Sequence, residues 1–142
     1  MSHQSLDYAT KIRERGFRLT PQRELILDAV CEGSGHTTFD EICARVHDKA
    51  KAINLATVYR TLDFLCGMGL IVTAEINDHR VYEIAGQQPH HHLVCRACGR
   101  VERLDHEMLE ALLAKVERER GFKVDMGHMV LLGQCQDCRN RE

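Results

Sequence analysis

The sequence contains no tryptophan, only two prolines and few aromatic residues, which make up 5% of its 142 positions. It also lacks any apolar run of about eighteen residues, the length that predicts a transmembrane helix. The N-terminal segment MSHQSLDYATKIRERG has neither the apolar stretch nor the small-residue cleavage site of a secretory signal. We therefore expect a cytoplasmic protein without a membrane partner.

An excess of charge of one sign is also missing. The net charge of −2 argues against a protein that binds nucleic acid through overall positive charge. Residues 11–23 differ from the rest, because they carry five basic side chains against one acidic side chain, Glu14. On charge alone, this stretch fits a solvated helix face as well as a phosphate-binding surface.

Cysteine is plentiful by comparison. Seven cysteines is an odd number, and thiols stay reduced in the cytosol, so metal ligation and core packing explain them better than a disulfide framework. Three of them, Cys31, Cys43 and Cys66, lie on or near apolar helical stripes and are expected in the core. With 44% hydrophobic and 28% charged residues, the chain can form one globular domain or two small ones.

Hydrophobic spacing predicts a run of helices before any strand. After a short segment over residues 7–15, three helices are expected: over residues 21–32 after the cap residue Thr20, then after a capping box at Thr38, and then after the cap residue Asn54. The segments LIVTAEI and HRVYEI, separated by a polar turn, predict a hairpin. Helices followed by a hairpin are the order of a winged helix-turn-helix, although many small domains that bind no DNA share it.

The helix after Asn54 is the candidate recognition helix. Its predicted buried stripe consists of Leu55, Val58, Leu62, Leu65 and Cys66. Four residues are expected on its outer face, with Tyr59 at the border: Ala56, Thr57, Arg60 and Thr61. Small side chains allow close approach to the major groove, and arginine can bind guanine or phosphate.

Beyond Gly86 the sequence predicts a small α/β domain, with a helix from about Asp105 to Arg120. Its apolar face is Leu109, Leu112, Leu113 and Val116. The segment FKVDMGHMVLLG predicts a final strand pair or one long bent strand. A domain of this size has little core, so we expect it to need a metal, a partner subunit or both.

Two C-x2-C pairs predict a metal site in this domain. Cys95 and Cys98 form one pair, and Cys135 and Cys138 repeat the spacing after 36 intervening residues. Two such pairs predict a closed tetrahedral zinc site, whereas a thioredoxin-like redox motif would need only one.

Three consecutive histidines precede the first cysteine pair. In an extended strand, His90 and His92 face one side and His91 faces the other. The three therefore cannot easily share one ion, and up to two further sites of histidine and carboxylate are expected.

The segments RGFRLTPQRELIL, LATVYRTLDFL, HHHLVCRACGRVE and GQCQDC resemble those of the ferric uptake regulator family of bacterial metal-sensing repressors. The resemblance runs over nearly the whole chain. It implies an α+β fold, with a winged-helix DNA-binding domain in residues 1–86 and a metal-binding dimerisation domain in residues 87–142. It further implies a homodimer on double-stranded DNA, at an AT-rich inverted repeat. The DNA-contacting residues are then expected to be Arg18, Thr57, Tyr59 and Arg60.

The resemblance also implies metal sites beyond the four-cysteine zinc. The family's regulatory hinge site corresponds to His36, Glu83, His90 and His92. A second site corresponds to His91, Glu110 and His128.

This sequence departs from the family pattern at two positions. Arg103 stands where an acidic ligand is common, with Glu102 beside it. His128 lies one residue nearer to Gly133 than in many members, which in a strand would turn it to the opposite face unless a bulge compensates.

These features predict a metal-gated repressor of metal-uptake genes and no enzymatic activity. Regulatory nitrogen and oxygen donors without thiolate favour Fe²⁺ slightly over Zn²⁺, with Mn²⁺ also compatible. A zinc-uptake regulator and a manganese or peroxide regulator remain alternatives. A metal-storage dimer and a zinc-dependent hydrolase with Glu83 or Glu110 as base are more remote, since no nucleophile motif or phosphate loop is present.

Overall fold

The computed structural model describes residues 3–33, 35–86, 90–124 and 128–141. The chain divides into two compact units. The first comprises the described residues through Thr73 together with Arg80–Ala85, and the second comprises Ala74–His79 together with the described residues from Gly86 onward. Among the described residues, no helix is both long and apolar enough to cross a membrane.

Four helices and a three-stranded sheet form the N-terminal part of the chain. In chain order these are α1 (His3–Glu14), α2 (Pro21–Cys31), β1 (Thr37–Thr38), α3 (Phe39–Lys49), α4 (Leu55–Gly67), β2 (Ile71–Ile76) and β3 (His79–Ile84). The sheet order is β1-β3-β2. Three helices ending in this small sheet make a winged helix-turn-helix, as the sequence predicts, with an additional helix before it.

The helix starts are fixed by side-chain caps that the sequence predicts. Thr20 accepts a hydrogen bond from the amide of Arg23, and Asn54 accepts one from the amide of Thr57. Thr38 and Glu41 form a complete capping box, in which each side chain binds the other residue's backbone amide. These bonds satisfy amides that have no partner inside the helix.

The core of the first unit combines α1 to α4 with β2 and β3. Its fully buried members include Ile12, Ile26, Ile42, Val58, Leu62 and Leu65. The predicted stripe on α4 was wrong at two positions. Thr61 is only 7% exposed because it lies on the same face as Val58 and Leu65, whereas Leu55 is 52% exposed. Helical side chains lean toward the N-terminus, so that of the first residue, Leu55, extends past the start of the helix.

The second unit contains a three-stranded sheet and two helices. In chain order these are β4 (His90–Cys95), β5 (Val101–Asp105), α5 (Glu107–Arg120), β6 (Val130–Gly133) and α6 (Gln136–Arg139). The sheet order is β5-β4-β6, with β4 antiparallel to β5 and parallel to β6. Residues 122–133, for which a strand pair or one long bent strand is predicted, contain the single strand β6 in their described part, and residues 125–127 lie outside the described residues.

Helix α5 ends at Gly121, which adopts the left-handed conformation with φ 60° that glycine tolerates best. Leu109 is buried, but Leu112, expected in the core, is 57% exposed. It is one of five large apolar side chains that are exposed among the described residues of the second unit, here called the exposed apolar set: Met108, Leu112, Phe122, Leu131 and Leu132.

Candidate metal centres and nucleic-acid interface

The four predicted cysteine ligands converge in the second unit. The thiol sulfurs of Cys95, Cys98, Cys135 and Cys138 all lie within 4.8 Å of one another. The Sγ atoms of Cys98 and Cys135 are 3.8 Å apart, although 36 residues separate them in sequence.

Local structure explains how each cysteine pair folds. Cys95 ends β4, and the following tight turn closes when the amide of Gly99, at φ 73°, donates to the Cys95 carbonyl over 2.9 Å. Cys135 caps the short helix α6, so that Cys138 returns to the same side one turn later. Arg100 joins the two segments through a 2.7 Å ion pair with Asp137.

The thiols are electrostatically unequal. Hydrogen bonds from the amides of Cys135 and Cys98 lower the pKa of Cys95 to about 6. Hydrogen bonds from the Cys138 thiol to the side chains of Cys135 and Cys98 raise its pKa to about 12, because they stabilise its protonated form. A divalent cation would remove this difference in pKa, because it would stabilise all four cysteines as thiolates. Four converging thiols, one of which accepts amide hydrogen bonds, fit a closed tetrahedral zinc site.

A second group of donors lies on the opposite half of β4. His90 and His92 project from the same face, with ring centroids 5.1 Å apart. His128 joins them, its Nε2 lying 3.3 Å from Nε2 of His90. One ligand atom of each of these three imidazoles lies within 4.8 Å of the others. His90 and His92 are both buried.

His91 faces the other side of the strand, as alternation predicts. It is fully buried, and its Nε2 lies 3.2 Å from Nδ1 of His106 at the start of α5. The amide of Met129 donates to its Nδ1 over 3.1 Å. Burial lowers the pKa of His91, and the neighbouring His106 lowers it further. The sequence predicts no role for His106, because its contact with His91 depends on how α5 packs beside β4.

The expected second metal set is therefore not assembled as predicted. His128 lies with His90 and His92, not with His91, and Glu110 is an exposed residue of α5. β4 and β6 stay in step from the His92–Val130 pair to the Cys95–Gly133 pair, and the ring of His128, two residues before β6, packs against those of His90 and His92. Arg103 pairs with Asp105 at 3.1 Å.

The first unit contributes a histidine–carboxylate pair. Nε2 of His36 lies 3.6 Å from Oε2 of Glu83. Strand β1 pairs antiparallel with β3, with Thr37 opposite Tyr82, so one step further along the register places His36 opposite Glu83. Residues 47 positions apart thus meet because the short strand β1 lies beside the hairpin.

The four residues predicted to contact DNA lie in the first unit. Arg60 and Tyr59 are exposed on α4, Thr57 is half-buried near its start, and Arg18 precedes α2. Tyr59 is 47% exposed, and its ring packs edge-on against Phe39 with centroids 6.2 Å apart.

A cleft of about 520 Å³ runs between α2 and α4. Its walls include three arginines, here called the basic cleft residues: Arg18, Arg23 and Arg60. The guanidinium of Arg23 stacks over the ring of Phe64 at 4.0 Å and donates to the Arg18 carbonyl over 2.8 Å. Arg23 belongs to the basic stretch of residues 11–23, but its place in this cleft follows from the packing of α2 against α4 and is not evident from the sequence.

Comparison with known proteins identifies the family. Residues 14–132 match the model of the ferric uptake regulator family. The chain belongs to this family. The resemblance read from the sequence motifs is thereby confirmed.

Individual members are similar over nearly their whole length. The ferric uptake regulation protein of Campylobacter jejuni is 29% identical over 134 residues, covering 92% of this chain and 85% of the relative. The peroxide-responsive repressor PerR of Staphylococcus saprophyticus is 27% identical over 141 residues, covering 99% of this chain and 95% of the relative. The solved structure of the Helicobacter pylori ferric uptake regulator, which has three functional metal-binding sites, matches with a TM-score of 0.72 and 25% identity, covering 96% of this chain and 91% of that one.

These similarities place the chain among metal-responsive regulators. The identities to an iron regulator and to a peroxide repressor are nearly equal. Sequence similarity therefore favours neither of these two functions, and the donor atoms of this chain are the better guide to its metal.

Proposed function

We propose that the protein is a metal-dependent DNA-binding repressor of metal-uptake genes, with iron as the first candidate metal. The observation that carries the proposal is the placement of donors on either side of the segment that joins the two units. Glu83 lies near the end of β3 in the first unit, and His90 begins β4 in the second. Only six residues separate them in sequence, so covalent connection keeps the two donor groups near each other.

The proposed regulatory ligands are His36 and Glu83 from the first unit and His90 and His92 from the second. Support comes from the 3.6 Å contact within the first pair and the 5.1 Å ring separation within the second. A bound divalent cation would supply four bonds that tie the units together. The ligands' own role is to offer neutral imidazole nitrogens and one carboxylate charge, a set compatible with Fe²⁺, Mn²⁺ and Zn²⁺.

The proposed DNA contact uses the exposed face of α4. Tyr59 and Arg60 are available there for bases and phosphates, and Arg18 lies in the adjoining cleft. The near-neutral chain has little overall charge for non-specific binding, so the orientation of the recognition helices should decide affinity.

We further propose a homodimer, formed through the second unit. Its exposed apolar set is the supporting observation, since apolar side chains of this size are enriched in the centres of protein interfaces. A dimer that reads an inverted repeat needs its two α4 helices roughly 34 Å apart, one turn of DNA. Metal binding is proposed to favour that spacing by fixing the orientation of the units, and its loss would release the operator.

The test is operator binding under anaerobic conditions. The zinc-replete protein would be titrated with Fe²⁺, Mn²⁺ or Zn²⁺ on a library of AT-rich palindromes, beside His90→Ala and the control His79→Ala. His79 is an exposed histidine at the start of β3. We expect metal-dependent binding that His90→Ala abolishes and His79→Ala preserves. Binding that ignores both metal and His90 would refute metal gating.

A further inference from the structure

His128 sits with two of the proposed regulatory ligands, although the family pattern would assign it elsewhere. Its Nε2 lies 3.3 Å from Nε2 of His90, and its ring centroid lies 4.9 Å from that of His92. The amide of His92 donates to the Met129 carbonyl over 2.9 Å, which anchors the segment carrying His128 beside β4. All three imidazoles belong to the second unit.

Strand register accounts for this arrangement. Parallel pairing sets His92 opposite Val130, with the next three pairs in step and no inserted residue. Continued two positions back, this register would set His90 beside His128, which agrees with the 3.3 Å contact between their Nε2 atoms. Residues two apart in an extended chain share a face, so His90, His92 and His128 point the same way and His91 does not.

From this geometry we infer that His90, His92 and His128 form a three-imidazole cation site contained in the second unit, selective for Zn²⁺ and Co²⁺ over Mn²⁺. The inference deepens the proposed function, because it adds a ligand to the regulatory site and names the class of cation that this part of the site prefers.

The selectivity follows from the donor atoms. Three neutral imidazoles with one open position are a ligand set that zinc adopts in proteins, whereas manganese prefers carboxylate, carbonyl and water oxygens. Affinity at a nitrogen-rich site rises from Mn²⁺ through Fe²⁺ to Co²⁺. The affinity of the site for Fe²⁺ should therefore be intermediate. Fe²⁺ would serve as the regulatory ion only where the concentration of free zinc in the cell is low.

The location within one unit has a second consequence. His36 and Glu83 are not needed for the initial capture of the ion, so binding and the tying of the units become separable steps. Replacing His36 should weaken the metal response of DNA binding more than it weakens cation binding.

The test uses Co²⁺ as a spectroscopic probe on the full chain, with the four-cysteine site already filled with zinc. Cobalt chloride is titrated into the wild type, His128→Ala and the control His79→Ala, and affinity is read from the visible d–d bands. We expect His128→Ala to weaken Co²⁺ binding by about tenfold or more, since even the loss of an outer-shell partner costs about 10- to 100-fold. His79→Ala should bind as the wild type does, and Mn²⁺ competition should be weak in both.

A second variant separates ligation from a purely structural role. In His128→Cys, a thiolate ligand would add a sulfur-to-cobalt charge-transfer band that the wild-type site lacks. Wild-type affinity in His128→Ala, or a His128→Cys spectrum without that band, would overturn the inference. Because no DNA is present, this result is independent of operator binding: failure of metal gating with an intact cobalt signature would refute the proposed function alone.

Discussion

Removal of zinc from the four-cysteine site should unfold the second unit selectively. Among the described residues, the first unit has a core cluster of sixteen buried residues, whereas the second has four large buried apolar side chains: Ile76, Val94, Leu104 and Leu109. Each contributes about 1.5–3 kcal/mol on burial, or about 6–12 kcal/mol together. Structural zinc binds zinc-finger peptides with an apparent free energy of about 10–16 kcal/mol at neutral pH. At that affinity, a bound zinc ion would contribute about as much to the stability of this unit as its apolar core does.

Hydrogen exchange measured by mass spectrometry gives the readout for each unit in the intact chain. After chelation, we expect amides of β4, β5 and β6 to lose protection while those of α2, α3 and α4 keep theirs. Cys98→Ala should reproduce the effect without chelator. Cys66→Ala, which changes a half-buried cysteine of the first unit, is the matched control and should leave the second unit protected. Protected strands in the zinc-free protein would refute the reasoning, because the apolar core would then be sufficient.

Three further predictions concern DNA binding, helix capping and assembly. Arg60→Ala should reduce operator affinity by about 1–3 kcal/mol in gel-shift titrations and leave the thermal midpoint unchanged, since the side chain is exposed. Thr38→Ala should lower the free energy of unfolding by about 1 kcal/mol in urea titrations, because it breaks the capping box. The backbone amide of Thr38 and then its hydroxyl lower the pKa of Glu41, so this stabilisation is present above pH 4.5 and is lost as pH falls through the lowered pKa. Thr38→Ala keeps the amide and should lose only the share that the hydroxyl contributes. Leu112→Glu should convert the proposed dimer to a monomer in sedimentation experiments, whereas Ala111→Glu, which changes an exposed neighbour on α5, should not.

Local chemistry made much of the first unit predictable. Thr20, Thr38 and Asn54 each cap a helix through their own side chain, so the sequence within four residues determines where those helices begin. The turn at Asn77 and Asp78 was predictable for the same reason, since both adopt positive φ, which these residue types tolerate. The errors on α4 concern burial, which depends on neighbouring elements and not on the helix itself.

The second unit was harder to predict because its elements depend on non-local pairing. Strand β5 lacks a clear alternating pattern, and it forms because Leu104 packs inward while its backbone pairs with β4. The contact of His91 with His106 joins a strand to the residue just before a helix, fifteen positions away in sequence. Nothing in the local sequence around either residue indicates that they meet.

His128 illustrates how one position in sequence changes the chemistry of a site. The resemblance to the family implies that His128 lies with His91 and Glu110. The alternation of side chains along a regular strand instead predicts that His128 lies on the face of His90 and His92. Alternation prevails here because the backbone pairs of β4 and β6 remain in step from His92 to Cys95. To lie beside His91, as the family resemblance implies, His128 would need a bulge after it, with one residue left out of the pairing with β4. The shorter spacing before Gly133 therefore moves the imidazole of His128 from the site of His91 to the site of His90 and His92. The number of nitrogen donors in both sites changes, although His128 itself is not substituted.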